Sequence, residues 1–242
     1  ITAAPTLFTG PLVSGVETFY VSFGTGKYVE PSDNISTTTN SFYVIYDNNS
    51  TATDTSIATD GAIAGRGRLA QGTVNTSTKT ITVPAFKWGR ASSATDTTKR
   101  SGWYFDFPSS GEKLIGSIVD LELLNGSFNT VIPGSSGATA GSCAANQGSS
   151  NAYIFNASTG VTRYVQSTVG IQGPPVFFAN SSETQVSKSD STGRRTRITT
   201  KRGLSVGQSG ITSSGQAIQI SETVGRLSWR QIQSYQDMKN AP

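Results

Sequence analysis

The sequence predicts an all-β protein, and three observations support this prediction. Charged residues make up only 14% of the 242 residues, whereas there are 26 glycines, which favours strands and turns over helical bundles. Short aromatic and β-branched runs are separated by Gly, Asn and Pro, a pattern typical of strands joined by turns. Pairs of such runs recur along the chain. Together these features predict the C-terminal blades of a β-propeller with long loop insertions.

The first strands are expected before residue 48. Residues 19–23 alternate in polarity and precede a Gly-Thr-Gly turn, and the run Ser41–Asp47 is rich in aromatic and β-branched side chains, which favour extended structure. Two further strands are expected at residues 62–70 and 79–88, around a turn at Asn75.

The central stretch, residues 102–160, is expected to organise the chain. It starts with an aromatic run at 102–107 and continues with an apolar run at 114–121, which predicts a strand. Residues 127–134 and 151–160 follow as a pair. Each run is too short to bury a core alone, so the unit needs neighbours of the same kind.

The recurring pairs predict a partial β-propeller over residues 1–242. The first pair joins 19–26 to 41–47, the second joins 127–134 to 151–160, and a third copy begins near residue 170. The blade-containing segments are therefore expected at 1–100, 101–169 and 170–232, with a C-terminal tail at 233–242. Because a propeller usually needs four to eight blades, we expect the rest of the ring upstream of Ile1.

Composition excludes several kinds of chemistry. The chain has no histidine, which excludes histidine triads, His-rich zinc sites and histidine general bases. Cys143 is the single cysteine, so any disulfide partner would lie outside this chain. No apolar run approaches the roughly 20 residues of a membrane-spanning helix, and the net charge of +4 does not by itself identify a partner.

A basic run near the end is the first candidate site. It consists of Arg194, Arg195, Arg197, Lys201 and Arg202. Arginine suits bidentate contacts with oxyanions, so the run could bind an anionic partner such as a lipid, a glycan or a nucleic acid. The alternative is a solvated face of a hairpin, since charge clusters are usually of that kind.

A candidate calcium site and a candidate glycan pocket each have a simpler interpretation that we favour. Asp47, Asn49, Thr51 and Asp54 form an oxygen-rich run, but calcium usually needs more carboxylates and a glycine in mid-loop, so a solvated loop is expected. The aromatic side chains at 103–105 and Phe107 could line a glycan pocket. In a β-rich protein such side chains mostly pack between sheets, so core packing is the favoured interpretation.

Several sequence motifs resemble the PilC/PilY family of type IV pilus tip adhesins and biogenesis factors. Their order and approximate spacing hold from Ile1 to Gln231, and this collinearity is more specific than any one motif. Gln231 stands where the family often has Glu, and residues 161–202 match poorly. The motifs are ITAAP at 1–5, FGTGKY at 23–28, SFYVIYD at 41–47, GWYFDFP at 102–108 with GEK at 111–113, FNTVIP at 128–133 before Cys143, and RLSWR at 226–230.

The resemblance implies a non-enzymatic protein of the bacterial cell surface, exported through the periplasm to the pilus tip. Such proteins promote pilus assembly with minor pilins, oppose retraction and mediate surface attachment, including to host cells, with a role in virulence. The implied partners are minor pilins, a host receptor or surface, and the remainder of the same propeller, with no nucleic acid expected. No cofactor is expected in this chain, because the family's calcium loop would lie upstream of Ile1.

Two alternatives remain open at this point. A quinone-dependent dehydrogenase has a propeller with related blade phrases, but it would need an acidic catalytic residue and calcium ligands that this sequence does not display. A structural fibre or phage tail protein with a β-sandwich would form trimers stable in detergent. Fold alone does not decide among these functions.

Overall fold

The structure, a computed structural model, describes residues 1–12, 15, 17–47, 63, 65–89, 98–134, 148–179, 185–187 and 195–224, with backbone only at 213–216 and 224. This part of the chain is all-β, as predicted. It contains strands and two short 3₁₀ turns, Pro31–Asn34 and Arg66–Arg68, and no α-helix. The strands are β1 (Thr6–Thr9), β2 (Phe19–Gly24), β3 (Ser41–Asp47), β4 (Leu69–Gln71), β5 (Thr73–Asn75), β6 (Thr80–Thr82), β7 (Lys87–Trp88), β8 (Lys99–Arg100), β9 (Gly102–Asp106), β10 (Val119–Asp120), β11 (Asn125–Asn129), β12 (Asn151–Asn156), β13 (Thr162–Gln166), β14 (Val176–Ala179), β15 (Gln185–Val186), β16 (Arg195–Gly207) and β17 (Gly210–Val224).

The chain divides into two compact units. The first contains the described residues among 1–178 and 202–217, and the second contains those among 179–201 and 218–242. The sequence-based division at residues 100, 169 and 232 rests on repeat spacing and stays a prediction.

The first sheet of the first unit has the strand order β1-β2-β3-β9-β4. Its first four strands are antiparallel neighbours, and β4 joins β9 in parallel at the edge. In β3, Phe42 and Val44 are buried, whereas Tyr43 and Ile45 on the opposite face are partly exposed. This alternation is what a strand with one face on the core requires, and the predicted pairing of residues 19–26 with 41–47 is confirmed.

The second sheet has the order β10-β11-β12-β13-β6-β5, with antiparallel neighbours throughout. The predicted pairing of the runs at 127–134 and 151–160 is confirmed by β11 and β12. The β5–β6 hairpin extends the sheet beyond β13, with Thr80 opposite Arg163.

An aromatic core lies between these two sheets. The rings of Phe42 and Phe128 stack with centroids 4.6 Å apart, and Phe8 meets Phe155 edge-on at 5.7 Å. The ring centroids of Phe105 in the first sheet and Tyr153 in the second are 5.8 Å apart. Aromatic pairs stabilise a fold by more than their buried surface area alone accounts for. This cluster therefore holds the two sheets together.

The prediction of a strand at residues 114–121 is wrong for most of these residues. Only Val119–Asp120 forms a strand, β10. Lys113 makes an isolated bridge with Val131, and Leu114 N donates to the carbonyl of Thr25. The backbone here bonds first to the segment that follows β11 and then to the residue that follows β2. Most of the run therefore connects the two regions instead of forming a strand.

Within the second unit, β15 pairs with β16, with Gln185 opposite Ile198 and Val186 opposite Arg197. β17 also pairs with β16. Residues 204–206 lie in β16 and residues 217–220 lie in β17.

Candidate functional site

The predicted basic run lies on β16, apart from Arg194, which falls outside the described residues. Arg195, Arg197 and Lys201 belong to the second unit and Arg202 to the first. Arg197 forms an ion pair with Glu222 of β17, whose Oε2 accepts hydrogen bonds from both Nε and Nη2 of the guanidinium. Arg195, Arg197 and Arg202 are exposed, and Lys201 is half-buried. A partner for this run stays a prediction.

The oxygen-rich run at Asp47–Asp54 is described only at Asp47, the last residue of β3. Asn49, Thr51 and Asp54 lie outside the described residues, as does Cys143. Within the residues that the structure describes, no group of three or more His, Cys, Asp or Glu side chains could hold a metal ion.

The aromatic run after Gly102 belongs to the core, as predicted. Trp103 and Phe105 are fully buried, and Tyr104 and Phe107 nearly so. The indole Nε1 of Trp103 donates to the carbonyl of Ala157 at 2.8 Å. These rings therefore do not offer an open face to a ligand.

The sequence did not reveal a buried carboxylate at the centre of the first unit. Glu112 is fully buried. Its Oε1 accepts hydrogen bonds from Thr130 Oγ1 at 2.6 Å, Asn151 Nδ2 at 3.0 Å and Tyr153 OH at 2.8 Å. Its Oε2 accepts from the backbone N of Ser109 at 3.1 Å. An ionised carboxylate only accepts hydrogen bonds, and the four donors around Glu112 match that requirement.

Glu112 is therefore a structural centre. Its oxygens are saturated by donors from three separate segments, and no side of the carboxylate is open to a substrate. Burial, followed by the charge of Glu112, raises the pKa of Tyr153 well above its usual value. The same two causes raise the pKa of Tyr164. A phenol that keeps its proton can continue to donate to the carboxylate.

The neighbouring Lys113 is also buried, with 2% of its surface exposed. Its Nζ donates to the backbone carbonyl of Asp33 at 2.6 Å and lies 5.4 Å above the ring of Tyr28. Burial lowers the pKa of Lys113. The carboxylate of Asp33 accepts from the backbone N of Glu30 and of Val29, and these hydrogen bonds lower its pKa.

The sequence offered little signal for this centre. A Gly-Glu-Lys turn usually lies in water, and charged side chains are rarely buried without partners. Here the side-chain donors to Glu112 and the acceptor of Lys113 come from residues 18 to 80 positions away, so only the fold brings them together.

An open groove lies at the edge of the second sheet, and we call it the Lys79 groove. Its volume is about 560 Å³, within the range of roughly 300–1,000 Å³ typical of ligand sites. It contains two cations, Lys79 and Arg163, and no carboxylate among its lining residues. They are Thr78, Lys79, Thr80, Arg163, Tyr164, Val165, Gln166 and Ala217.

Both cations of the groove are held in place. Arg163 Nη2 donates to the carbonyl of Ala217 at 2.6 Å. The Nζ of Lys79 lies 5.4 Å from the ring centre of Tyr164, close enough for a cation–π interaction. Tyr164 N also donates to the carbonyl of Lys79 at 2.9 Å, which fixes the turn against β13.

Comparison with models of known protein families, with curated proteins and with solved structures found no match. No helix in the described ranges is long and apolar enough to cross a membrane.

Proposed function

We propose that this chain is part of a type IV pilus tip-associated adhesin and assembly factor. It promotes pilus assembly with minor pilins, opposes retraction and mediates attachment to a surface, and it acts without catalysis. It is exported through the periplasm to the bacterial cell surface. The observation that carries the proposal is that four of the motifs behind the family resemblance meet around Glu112 and Lys113, whereas RLSWR at 226–230 lies outside the described residues.

Hydrogen bonds join the motifs directly to one another. Lys113 N and O both bond to Val131, which joins GEK at 111–113 to FNTVIP at 128–133. Thr130 adds its bond to Glu112. Leu114 N donates to Thr25 O and Thr25 N donates to Ser41 O, which brings in FGTGKY and SFYVIYD. Motifs that are bonded to one another support an origin shared with the PilC/PilY family better than motifs that lie apart on the surface.

The strand order also supports a partial propeller. Four antiparallel strands, β1-β2-β3-β9, lie within the five-stranded first sheet, and four more, β10-β11-β12-β13, lie within the six-stranded second sheet. A propeller blade is a four-stranded antiparallel sheet that packs face to face with the next blade. We therefore propose that these two sets of four strands are neighbouring blades, and that the remainder of the same propeller completes the ring.

A non-catalytic role is supported by the surroundings of Glu112, a fully buried carboxylate among the described residues. Glu112 is saturated by four donors and is not presented to an open cavity. We propose instead that loops and open surfaces on a rigid set of sheets provide the contacts with minor pilins or with a receptor.

The test is a count of pili by electron microscopy in the source strain after deletion of the gene, and in a second strain that also lacks retraction. Few pili in the first strain and normal numbers in the second are expected for a tip factor that opposes retraction. Unchanged numbers in both strains would overturn the assembly role. Reintroducing the wild-type gene is the control and should restore the pili.

The packing of two sheets across an aromatic core also favours a second candidate, a structural fibre protein with a β-sandwich. Such a protein would run as a detergent-stable trimer on a gel without heating. A tip factor of the proposed kind would run as a single chain.

A further inference from the structure

We propose that the Lys79 groove binds an acidic polysaccharide, whose carboxylate or sulfate groups contact Lys79 and Arg163. Its sugar hydroxyls would bond to Thr78, Thr80 and Gln166. This inference names a ligand class for the surface attachment within the proposed function and depends on that function only for its biological setting.

The first argument is the arrangement of charge. Thr80 of β6 lies directly opposite Arg163 of β13, and Lys79 is the next residue in the turn. A positive charge on β13 therefore lies beside another in the turn that precedes β6, and no acidic side chain lines the groove. The charges are fixed by Ala217 O and by the Tyr164 ring, so a ligand need not order them at an entropic cost.

The second argument is the backbone at Lys79. Its φ is +59°, a left-handed conformation that Gly or Asn normally occupies in hairpin loops. The loop is otherwise well formed, because Asn75 Oδ1 accepts from the backbone N of Ser77 and Thr78. A lysine at this position carries a conformational cost, and among the groove's lining residues its side chain contacts the Tyr164 ring and no carboxylate. Such outliers are often found at functional sites.

The third argument excludes other anionic partners by the character of the lining. Single-stranded nucleic acids usually need exposed aromatic rings for base stacking, but Tyr164 is buried, with 3% of its surface exposed. Protein partners anchor in apolar pockets, whereas five of the eight residues that line the groove are polar or charged. Hydroxyl and amide side chains beside two cations match a sugar chain that carries oxyanions.

The test measures binding of the purified chain to polygalacturonate, which carries carboxylates, and to chondroitin sulfate, which also carries sulfates. Neutral dextran, poly-glutamate and an oligo-thymidine serve as comparison ligands. We expect Lys79→Gln and Arg163→Gln each to weaken binding about threefold, and the double variant about tenfold, consistent with the loss of partly exposed charged contacts. Preference for one acidic polysaccharide would identify the oxyanion.

The matched controls are Lys87→Gln and Arg68→Gln, which remove the same charges elsewhere in the first unit. They should leave binding unchanged. An equal loss in the controls would overturn the proposal in favour of general attraction. Equally tight binding of dextran, poly-glutamate or oligo-thymidine would overturn the ligand class.

A further variant separates binding from folding. Lys79→Asn should bind as weakly as Lys79→Gln, yet its melting temperature should be equal to or above that of the wild-type chain, because Asn tolerates the left-handed conformation. A clear fall in melting temperature would show that Lys79 serves the fold instead. Failure of these binding tests would leave the pilus counts unaffected, so the two proposals can fail separately.

Discussion

Tyr153 donates a hydrogen bond from its hydroxyl to Glu112 Oε1 at 2.8 Å, and this bond connects β12 of the second sheet to the turn after β9 of the first. The two residues are 41 positions apart, and both are fully buried. A buried polar network that is fully satisfied specifies one arrangement of its surroundings. The network around Glu112 therefore fixes how the two sheets meet.

The first prediction concerns Glu112→Gln. The amide keeps one acceptor but places an NH₂ group against the backbone N–H of Ser109, and the charge-assisted bonds to Thr130 and Tyr153 weaken. We expect the free energy of unfolding to fall by about 1.5–3 kcal/mol, the range for hydrogen bonds to charged groups. Urea unfolding followed by tryptophan fluorescence measures it.

The control for this variant is Glu17→Gln, since Glu17 is exposed. It should change the free energy of unfolding by less than about 0.5 kcal/mol, as surface substitutions usually do. If the two variants were equally stable, the network around Glu112 would contribute nothing to the fold.

The second prediction is a loss of stability in alkali through Tyr153. Its pKa is raised in the folded chain, whereas in the unfolded chain it ionises near the ordinary value of about 10. Above that pH the unfolded chain binds fewer protons than the folded one, so stability falls as pH rises toward the folded pKa. Tyr153→Phe should be less stable at neutral pH and lose stability less steeply above about pH 10.

Phenolate absorbance during an alkaline titration checks the same point. The pKa of Tyr20 and of Tyr164 is also raised, in both cases mainly by burial. A fraction of the tyrosines should therefore ionise only as the chain unfolds. Ionisation of all tyrosines near the ordinary pKa, with no unfolding step, would contradict the prediction.

The third prediction concerns acid and Asp33. Backbone hydrogen bonds from Glu30 and Val29 lower the pKa of this carboxyl, so its stabilising effect is complete above the unfolded value of about 3.9 and is lost as pH falls through the folded pKa. Asp33→Asn should therefore be less stable than the wild-type chain at neutral pH. The difference should shrink below about pH 4.

Thermal unfolding of both proteins between neutral pH and strongly acidic pH measures this change. Glu17→Gln again serves as the reference, because it removes a carboxyl that is exposed. A difference between Asp33→Asn and wild type that stayed constant with pH would mean that the ionised carboxyl does not stabilise this turn.

The sequence was a good guide wherever one local pattern decided the structure. Alternation predicted β2, and the aromatic and β-branched content of 41–47 predicted β3. The aromatic character of 102–107 predicted a core that the burial of Trp103 and Phe105 confirms. These features depend on side-chain polarity at short spacing, which a sequence displays directly. The partial propeller and the pilus role stay proposals.

The parts that the sequence did not predict depend on distant neighbours. The apolar run at 114–121 suggested a strand, but Lys113 bonds to Val131, after β11, and Leu114 bonds to Thr25, after β2. The burial of Glu112 needs donors from Thr130, Asn151 and Tyr153, which no local pattern assembles. The Lys79 groove likewise depends on β6 pairing with β13, about 80 residues along the chain, so a turn lysine and a strand arginine gave no joint signal.

The fourth prediction concerns the close approach of two strands at Gly102, the first residue of β9. A Cβ at this position would lie 2.2 Å from the carbonyl oxygen of Val44 in the neighbouring β3. Backbone in a central strand cannot move aside without disturbing the pairing on both sides, and β9 is bonded to both β3 and β4. Gly102→Ala should therefore lower the free energy of unfolding by about 1–3 kcal/mol or more, as overpacking does.

The matched control is Gly67→Ala in the turn Arg66–Arg68, where a Cβ would meet nothing within 4 Å. Both variants add the same methyl group in the first unit, so the comparison isolates the contact with Val44. Urea unfolding should show Gly67→Ala within about 0.5 kcal/mol of wild type and Gly102→Ala well below it. Equal stability of the two variants would mean that β3 and β9 are not held as closely as their register implies, and the framework that joins the aromatic core to Glu112 would then need a different explanation.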